Sequence, residues 1–174
     1  MTGSTPRRPL VVVMGVSGSG KTTIGESLAT RLGVPFVDGD DLHPKANVEK
    51  MHAGHPLTDE DRWPWLAKIG RALADAEATG LVIACSALKR AYRRAILAEE
   101  QRAVFLHLVA GRDVIAGRLE HRSGHFMPTS LLDSQFETLE PLADDEPGVE
   151  VSVRGDVEAV LRDAQDALRG LGVL

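Results

Sequence analysis

A chain of 174 residues with a net charge of −5 and a single cysteine is long enough to bury one self-supporting core and short for two domains. One cysteine rules out an internal disulfide and a cysteine-rich zinc site, and the acidic balance argues against general affinity for nucleic acid. No apolar run approaches the ~18 residues of a membrane span, and the opening MTGSTPRRPL lacks the apolar core of a secretion signal, so a reducing, cytoplasmic setting is expected.

In chain order, Leu10 to Met14 (LVVVM) reads as a buried parallel strand. Lys21 to Leu32 follows as a helix with Ile24, Leu28 and Leu32 on one face, and Gly33 ends it. Pro35 to Asp38 (PFVD) makes a short second strand. Thr58-Asp59-Glu60-Asp61 is a capping box with acids in the first turn, opening a helix through Trp65, Leu66, Ile69 and Leu73 that is expected to stop at Gly80. Leu81 to Cys85 (LVIAC) is a third buried strand, followed by a polar helix from about Leu88 to Glu99. Val104 to Val109 is a fourth strand, and a helix is expected over about Asp113 to His121. Arg122 to His125 reads as a loop, and a further helix follows Pro128 from about Ser130 to Leu139. Glu140 to Gly148 (EPLADDEPG) is acidic and proline-bearing, hence a surface loop. Val149, Val151 and Val153 alternate as a last strand, and Asp156 caps a terminal helix. Five short apolar strands alternating with helices predict an α/β three-layer domain with a mainly parallel sheet. There is no internal repeat, low-complexity tract or linker, so residues 1–174 are read as a single domain.

The junction of the first strand and helix, GVSGSGKTT, carries the most specific chemistry. Gly15, Gly20, Lys21 and Thr22 fit G-x-x-x-x-G-K-[ST], the phosphate-cradling loop. Backbone N–H groups must reach an anion there, and glycines such as Gly18 permit the turn and the approach. The helix start adds its positive end. Lys21 is set to reach the β and γ phosphates of a nucleotide, and the Thr22 hydroxyl to ligate Mg²⁺. A dinucleotide fingerprint, G-x-G-x-x-G, would need glycine where Thr23 stands, so nicotinamide binding is rejected. With Asn47 as the only asparagine, the guanine-specific N-K-x-D motif is impossible.

Asp38-Gly39-Asp40 follows the second strand, at the carboxyl end where ligands bind in open α/β sheets. Residues two apart point the same way from extended chain. One carboxylate, Asp38, would serve hydrated Mg²⁺ and the other, Asp40, would receive an acceptor hydroxyl; the competing reading is an ordinary acidic turn. Arg62, Lys89, Arg90, Arg93, Arg94, Arg118 and Arg122 are the candidate cations for phosphoryl transfer, with Arg118 and Arg122 sharing a helical face before a loop hinged at Gly124. His52 with His55, and His121 with His125, are spaced like metal ligands, but Gly54 and Gly124 interrupt the helices such pairs would need, so metal binding by histidine is not expected. Trp63 and Trp65 flank Pro64, where packing and lining a cleft are both open readings.

The stretches GVSGSGKTT, VDGDDLHPKANVEKMHAGHPLTDEDRWPWL, CSALKRAYR, RSGHFMP and QFETLEPL, in this order, closely resemble the gluconokinases of the small phosphate-loop type. The resemblance implies a P-loop kinase fold of the shikimate kinase and nucleoside monophosphate kinase kind: a five-stranded parallel sheet in the order 2-3-1-4-5, with a mobile lid at about residues 118–130. It implies ATP-dependent phosphorylation of D-gluconate at the 6-hydroxyl, with ATP and Mg²⁺ as cofactors, usually in a homodimer, and no nucleic-acid or membrane partner. By position, Gly15, Ser17, Gly18, Ser19, Gly20, Lys21, Thr22 and Thr23 would hold the nucleotide, joined by Arg118 and Arg122 on the lid side and by Arg154 and Gly155 at the adenine. Lys21 and Asp40 would be catalytic, and Thr22 and Asp38 would serve the metal. Asp40, His43, Arg62, Lys89 and Gln135 would meet the substrate, with Arg62 gripping its carboxylate. Shikimate kinases carry a triple glycine after the third strand, where Ser86-Ala87-Leu88-Lys89 stands here. The alternatives are a kinase for another small carboxylated polyol and a nucleotide-dependent switch module.

Overall fold

The computed structural model describes residues 8–111, 113–115 and 129–174. Five parallel strands, β1 (Leu10–Met14), β2 (Phe36–Asp38), β3 (Leu81–Ala84), β4 (Val104–Val109) and β5 (Gly148–Ser152), form one sheet in the order β2-β3-β1-β4-β5, as the resemblance implied. The helices are α1 (Lys21–Leu32), α2 (Lys45–His52), α3 (Asp59–Asp75), α4 (Arg90–Glu99), α5 (Thr129–Thr138) and α6 (Val157–Gly170), and a 3-10 turn spans Gly39–Leu42. Residues 113–115 are helical where the helix after β4 was expected; the rest of that helix, the loop with Gly124, and Arg118 and Arg122 lie outside the described residues. Thr129 and Ser130, at the end of the expected lid, already belong to α5.

The pleat sorts the central strand between two cores. Val11 and Val13 point to one face, where α1 (Ile24, Leu28) and α6 (Val160, Leu161, Ala164, Leu168) cover them. Leu10, Val12 and Met14 point to the other, against α3 (Trp65, Leu66, Ile69, Leu73) and α4 (Tyr92, Ile96). All five β1 side chains are buried, which is why LVVVM is a continuous apolar run rather than an alternating one.

Several boundaries differ from the sequence reading. The helix opened by Thr58 ends at Asp75 instead of continuing to Gly80, because a turn over residues 76–79 delivers the chain to Gly80, whose φ of 77° a glycine adopts without strain. The helix after β3 starts at Arg90 rather than Leu88, and β5 begins and ends one residue earlier than expected. Helix α2 was not foreseen: KANVEKMH has no apolar stripe, and the one residue it buries is polar, Asn47. What ties α2 down is polar, Lys50 Nζ to Asp61 Oδ2 at 2.6 Å and Asn47 Nδ2 to the Asp61 carbonyl at 2.9 Å.

The acidic loop before β5 is also less peripheral than its composition suggested. Glu146 takes a two-point ion pair from Arg93, Nε to Oε1 at 2.7 Å and Nη2 to Oε2 at 3.0 Å, with the arginine side chain 0% and the glutamate 5% exposed. Arg93 also donates to the carbonyl of Ala87 at 2.9 Å, in the β3–α4 loop where Ala87 holds a φ of 44°. Arg93 is therefore an internal tie and not a cation available to a phosphate, which corrects its candidacy; Arg90 pairs with Asp145.

Gly39 is where strand and site meet. A Cβ on Gly39 would press into the carbonyl oxygen of Ala84 on the neighbouring strand and lie 3.4 Å from Ile69 Cδ1. Gly39→Ala is expected to destabilise the fold by about 1–3 kcal/mol through overpacking, a loss of several degrees in Tm measurable by circular dichroism.

Candidate active site

The loop between β1 and α1 has the conformation its glycines predicted. Gly15, Gly18 and Gly20 have φ of 149°, 83° and 95°, and Gly20 caps α1 with no side chain over the helix start. Lys21 folds back over the loop, its ammonium donating to the Gly15 and Val16 carbonyls at 3.0 Å each. Gly15 and Ser19 are buried beneath the loop, while Ser17, Gly18, Gly20, Lys21 and Thr22 line a cavity of about 1040 Å³. Thr23 is exposed.

Asp38 and Asp40 line that same cavity, so both acids share it with the anion loop. Their arrangement corrects the extended-chain reading. The strand stops at Asp38, whose Oδ1 accepts the backbone N–H of Asp40 at 3.0 Å and caps the 3-10 turn in which Asp40 sits. Asp40 opens toward the cavity, yet protein crowds it. That desolvation, with Asp38 nearby, raises its pKa above the ordinary carboxylate value against the opposing pull of His43 and Lys21.

The wall contributed by the turn and α3 holds a second polar group. His43 stacks on Trp65 with ring centroids 4.1 Å apart, and Trp65 is pinned by its own Nε1 donating to the Gly39 carbonyl at 2.8 Å. Trp65 thus answers both open readings, 4% exposed in the core and bordering the cavity. Arg62 lines the cavity and donates from Nη1 to the Leu57 carbonyl at 2.8 Å and to Tyr92 Oη at 3.3 Å. Asp59 gathers the neighbouring charges: Tyr92 Oη donates to it at 2.5 Å, Lys89 Nζ lies at 3.4 Å and Arg62 Nη1 at 3.8 Å. The hydrogen bond from Tyr92, aided by the two cations, holds the Asp59 carboxyl below the ordinary range. Lys89 is spent on this cluster and is not among the cavity-lining residues, in contrast to its expected place as a second anchor.

Gln135, expected at the substrate, clasps the anion loop: its Oε1 accepts the Ser17 N–H at 2.6 Å and its Nε2 donates to Ser17 Oγ at 2.9 Å. Helix α5 is thereby attached to the loop through one side chain that also borders the cavity. Arg154 and Gly155 follow the edge strand β5 and do not line the cavity; the Arg154 N–H donates to Ser152 Oγ at 3.3 Å. Asp59, Tyr92 and Asn47 belong to the site's surroundings without a motif that marks them in the sequence. The last stands four residues after His43 and three after Pro44, which precedes the first residue of α2.

Two residue sets suit a nucleotide and its metal. The glycine loop with Lys21 has the form of an anion cradle, and the Thr22 hydroxyl and Asp38 carboxylate are hard oxygen donors that border the same cavity. Among the described residues no three His, Cys, Asp or Glu side chains converge as a metal cage. The hydroxyl and carboxylate donors that are present fit a Mg²⁺ that arrives with a triphosphate and keeps most of its waters.

Comparison with known proteins agrees with this geometry. The shikimate kinase family profile matches residues 17–145. The chain is 50% identical over 155 residues to a gluconokinase of Gluconobacter oxydans, covering 88% of this chain and 87% of that one. It is 44% identical over 161 residues to the thermosensitive gluconokinase of Escherichia coli, covering 90% and 86%. The crystal structure of a gluconokinase from Sinorhizobium meliloti superposes with a TM-score of 0.85 at 46% identity, covering 95% of both chains. With a P-loop facing paired aspartates on a 2-3-1-4-5 sheet, and this degree of identity over nearly its whole length, the chain belongs to the gluconokinase family of P-loop kinases.

Proposed function

We propose that the chain works as a single kinase domain that transfers the γ-phosphoryl group of ATP to the 6-hydroxyl of D-gluconate, giving 6-phospho-D-gluconate and ADP. The observation that carries this reading is that the Lys21-bearing anion loop, Asp40 and Arg62 all open onto one cavity. Lys21 would leave the Gly15 and Val16 carbonyls to meet the β and γ oxygens, and the N–H groups of the loop would cradle the rest of the triphosphate. Thr22 would ligate Mg²⁺, with Asp38 in its outer shell. When bound, the metal neutralises charge on the phosphate oxygens. Asp40 would accept the hydrogen bond of the acceptor hydroxyl and fix it in line with the phosphorus. In a loose transition state its duty is positioning first and proton acceptance late.

Arg62 is the group suited to the gluconate carboxylate, a pairing in which a planar guanidinium excels. Arg62→Ala is expected to raise the KM for gluconate roughly tenfold to a hundredfold with a smaller effect on kcat. An unchanged KM would move the carboxylate site elsewhere. Gln135, through Ser17, acts on the nucleotide side in this reading and not on the sugar acid. The proposal extends to a cytoplasmic homodimer; no helix among the described residues is long and apolar enough to cross a membrane.

A coupled ADP-release assay with gluconate, its epimers, shikimate and water alone tests the reading. Turnover that depends on gluconate supports it. Dependence on another acid would make the chain a kinase for a different carboxylated polyol, and turnover in water alone would make it a nucleotide-driven switch.

A further inference from the structure

His43 borders the same cavity as Asp40, and two contacts set its ring orientation. One ring face lies on Trp65, 16° from parallel. Its Nδ1 is 3.2 Å from Asn47 Nδ2. The same Asn47 nitrogen is 2.9 Å from the backbone carbonyl of Asp61, a group that can only accept. The carbonyl therefore fixes which end of the Asn47 amide is nitrogen, and both amide protons are directed outward: one to Asp61 O, the other to His43 Nδ1. Facing a donor, Nδ1 must present its lone pair, so the single proton of the neutral ring sits on Nε2. An imidazolium would set N–H against N–H.

Asp61 is itself immobilised. Its carboxylate accepts from Lys50 Nζ at 2.6 Å and from the Thr58 N–H at 2.8 Å, and its own N–H donates to Thr58 Oγ1 at 3.2 Å. Asn47 is only 4% exposed, and it is the one residue that α2 buries. Among the described residues, nothing accepts a hydrogen bond from His43 Nε2. The charged groups felt by the ring are Asp40 on the turn and Arg62 on α3; burial, reinforced by Arg62 and opposed by Asp40, lowers its pKa and favours the neutral form.

We propose that Asn47 is a positioning residue that holds His43 as its Nε2–H tautomer, so that His43 is an obligatory hydrogen-bond donor to a hydroxyl oxygen of the acceptor polyol. This rests on the kinase reading given above and deepens it. Asp40 is an acceptor and selects a hydroxyl by its proton; His43 is a donor and selects an oxygen by its lone pair. The two together recognise a run of hydroxyls at two points of opposite polarity. An acceptor lacking the oxygen that faces His43 leaves a desolvated N–H unanswered, which is the kind of mismatch that discriminates most strongly.

The test has a spectroscopic arm and a kinetic arm. In the full chain with ¹⁵N-labelled histidine, long-range ¹H–¹⁵N correlation at neutral pH should show His43 with an unprotonated Nδ1 and a protonated Nε2, its signals assigned by their loss in His43→Gln. Asn47→Leu should turn that pattern into a tautomer mixture and lower kcat/KM for gluconate. In the kinetic arm, Gln carries an amide nitrogen where Nε2 was and Asn carries one where Nδ1 was. His43→Gln is expected to lower kcat/KM about tenfold and His43→Asn about a thousandfold, since only the former retains a donor at the right place. An Nδ1–H ring in the unsubstituted protein, or equal losses in the two His43 variants, overturns the proposal. So does a folded Asn47→Leu protein with unchanged tautomer and kinetics. Should Asn47→Leu not fold, the wild-type spectrum and the His43 pair still decide. If the unsubstituted chain fails to phosphorylate gluconate, the functional reading falls; the spectrum then decides the tautomer, and an acid identified by the ADP-release assay takes the place of gluconate in the kinetic comparison.

Discussion

Lys21→Ala is expected to reduce kcat roughly a thousandfold, the scale found when one preorganised group aimed at developing charge is removed. The ammonium rests on the Gly15 and Val16 carbonyls at 3.0 Å each, poised within the loop, so little reorganisation separates its resting place from the phosphates it would meet. Its field already reaches Asp40, whose pKa it pulls down against desolvation and the repulsion of Asp38. Because the charge on the γ oxygens shifts most in the transition state, the loss should fall on kcat more than on the KM for ATP. Lys21→Arg should recover little, since a planar fork does not replace a compact ammonium at that point. Steady-state kinetics with a melting curve as the folding control would check this. A kcat within tenfold of the parent would remove Lys21 from the reaction.

Asp40→Asn should cost about a hundredfold to ten-thousandfold in kcat, the range for a positioned acid–base group, while nucleotide affinity measured by titration calorimetry stays nearly unchanged. The substitution keeps size and exposure but removes the acceptor of the hydroxyl proton. The pH profile supplies a second signature. Burial, and secondarily Asp38, raises the Asp40 pKa, so the active carboxylate is present at high pH and is lost as pH falls through a value above the ordinary carboxylate range. The acidic limb of kcat/KM for gluconate should lie correspondingly high in the parent and be absent from whatever activity Asp40→Asn retains. Near-parental turnover in that variant would reassign the hydroxyl acceptor.

The fold was legible wherever sequence pattern and burial coincide. LVVVM, LVIA and, but for His107, VFLHLV are apolar because both sheet faces are covered, and Thr58 and Asp156 announce their helices by side-chain caps. The anion loop was legible because positive φ at Gly18 and Gly20 restricts the residue type, so conformation leaves a trace in composition. Helix α2 left no such trace, being held by Asn47 and Lys50 rather than by an apolar stripe.

In the candidate site the same division recurs. Lys21, Thr22, Asp38, Asp40, His43 and Arg62 could be named from motif and resemblance, and all border the cavity. Side-chain pairing could not be read from spacing. Lys89 is drawn to Asp59, thirty positions away, and Gln135 reaches Ser17 across 118 positions. Arg93 illustrates the limit most sharply. On a polar helix it reads as one basic residue among several, whereas its partner Glu146 sits in a segment whose composition marks it as surface. Contacts of this range depend on tertiary packing, which one-dimensional periodicity does not encode.

The two cores on either side of the sheet both draw on its central strands, β1 giving Val11 and Val13 to one and Val12 and Met14 to the other. Neither half can melt without stripping that strand, so heat or denaturant should dismantle the molecule in a single step rather than layer by layer. The anion loop grows directly from the same strand, so a ligand held there is tied to the element on which both cores depend. Nucleotide should therefore raise the whole unfolding transition with its concentration, and the enzyme should be at its most durable while it is working.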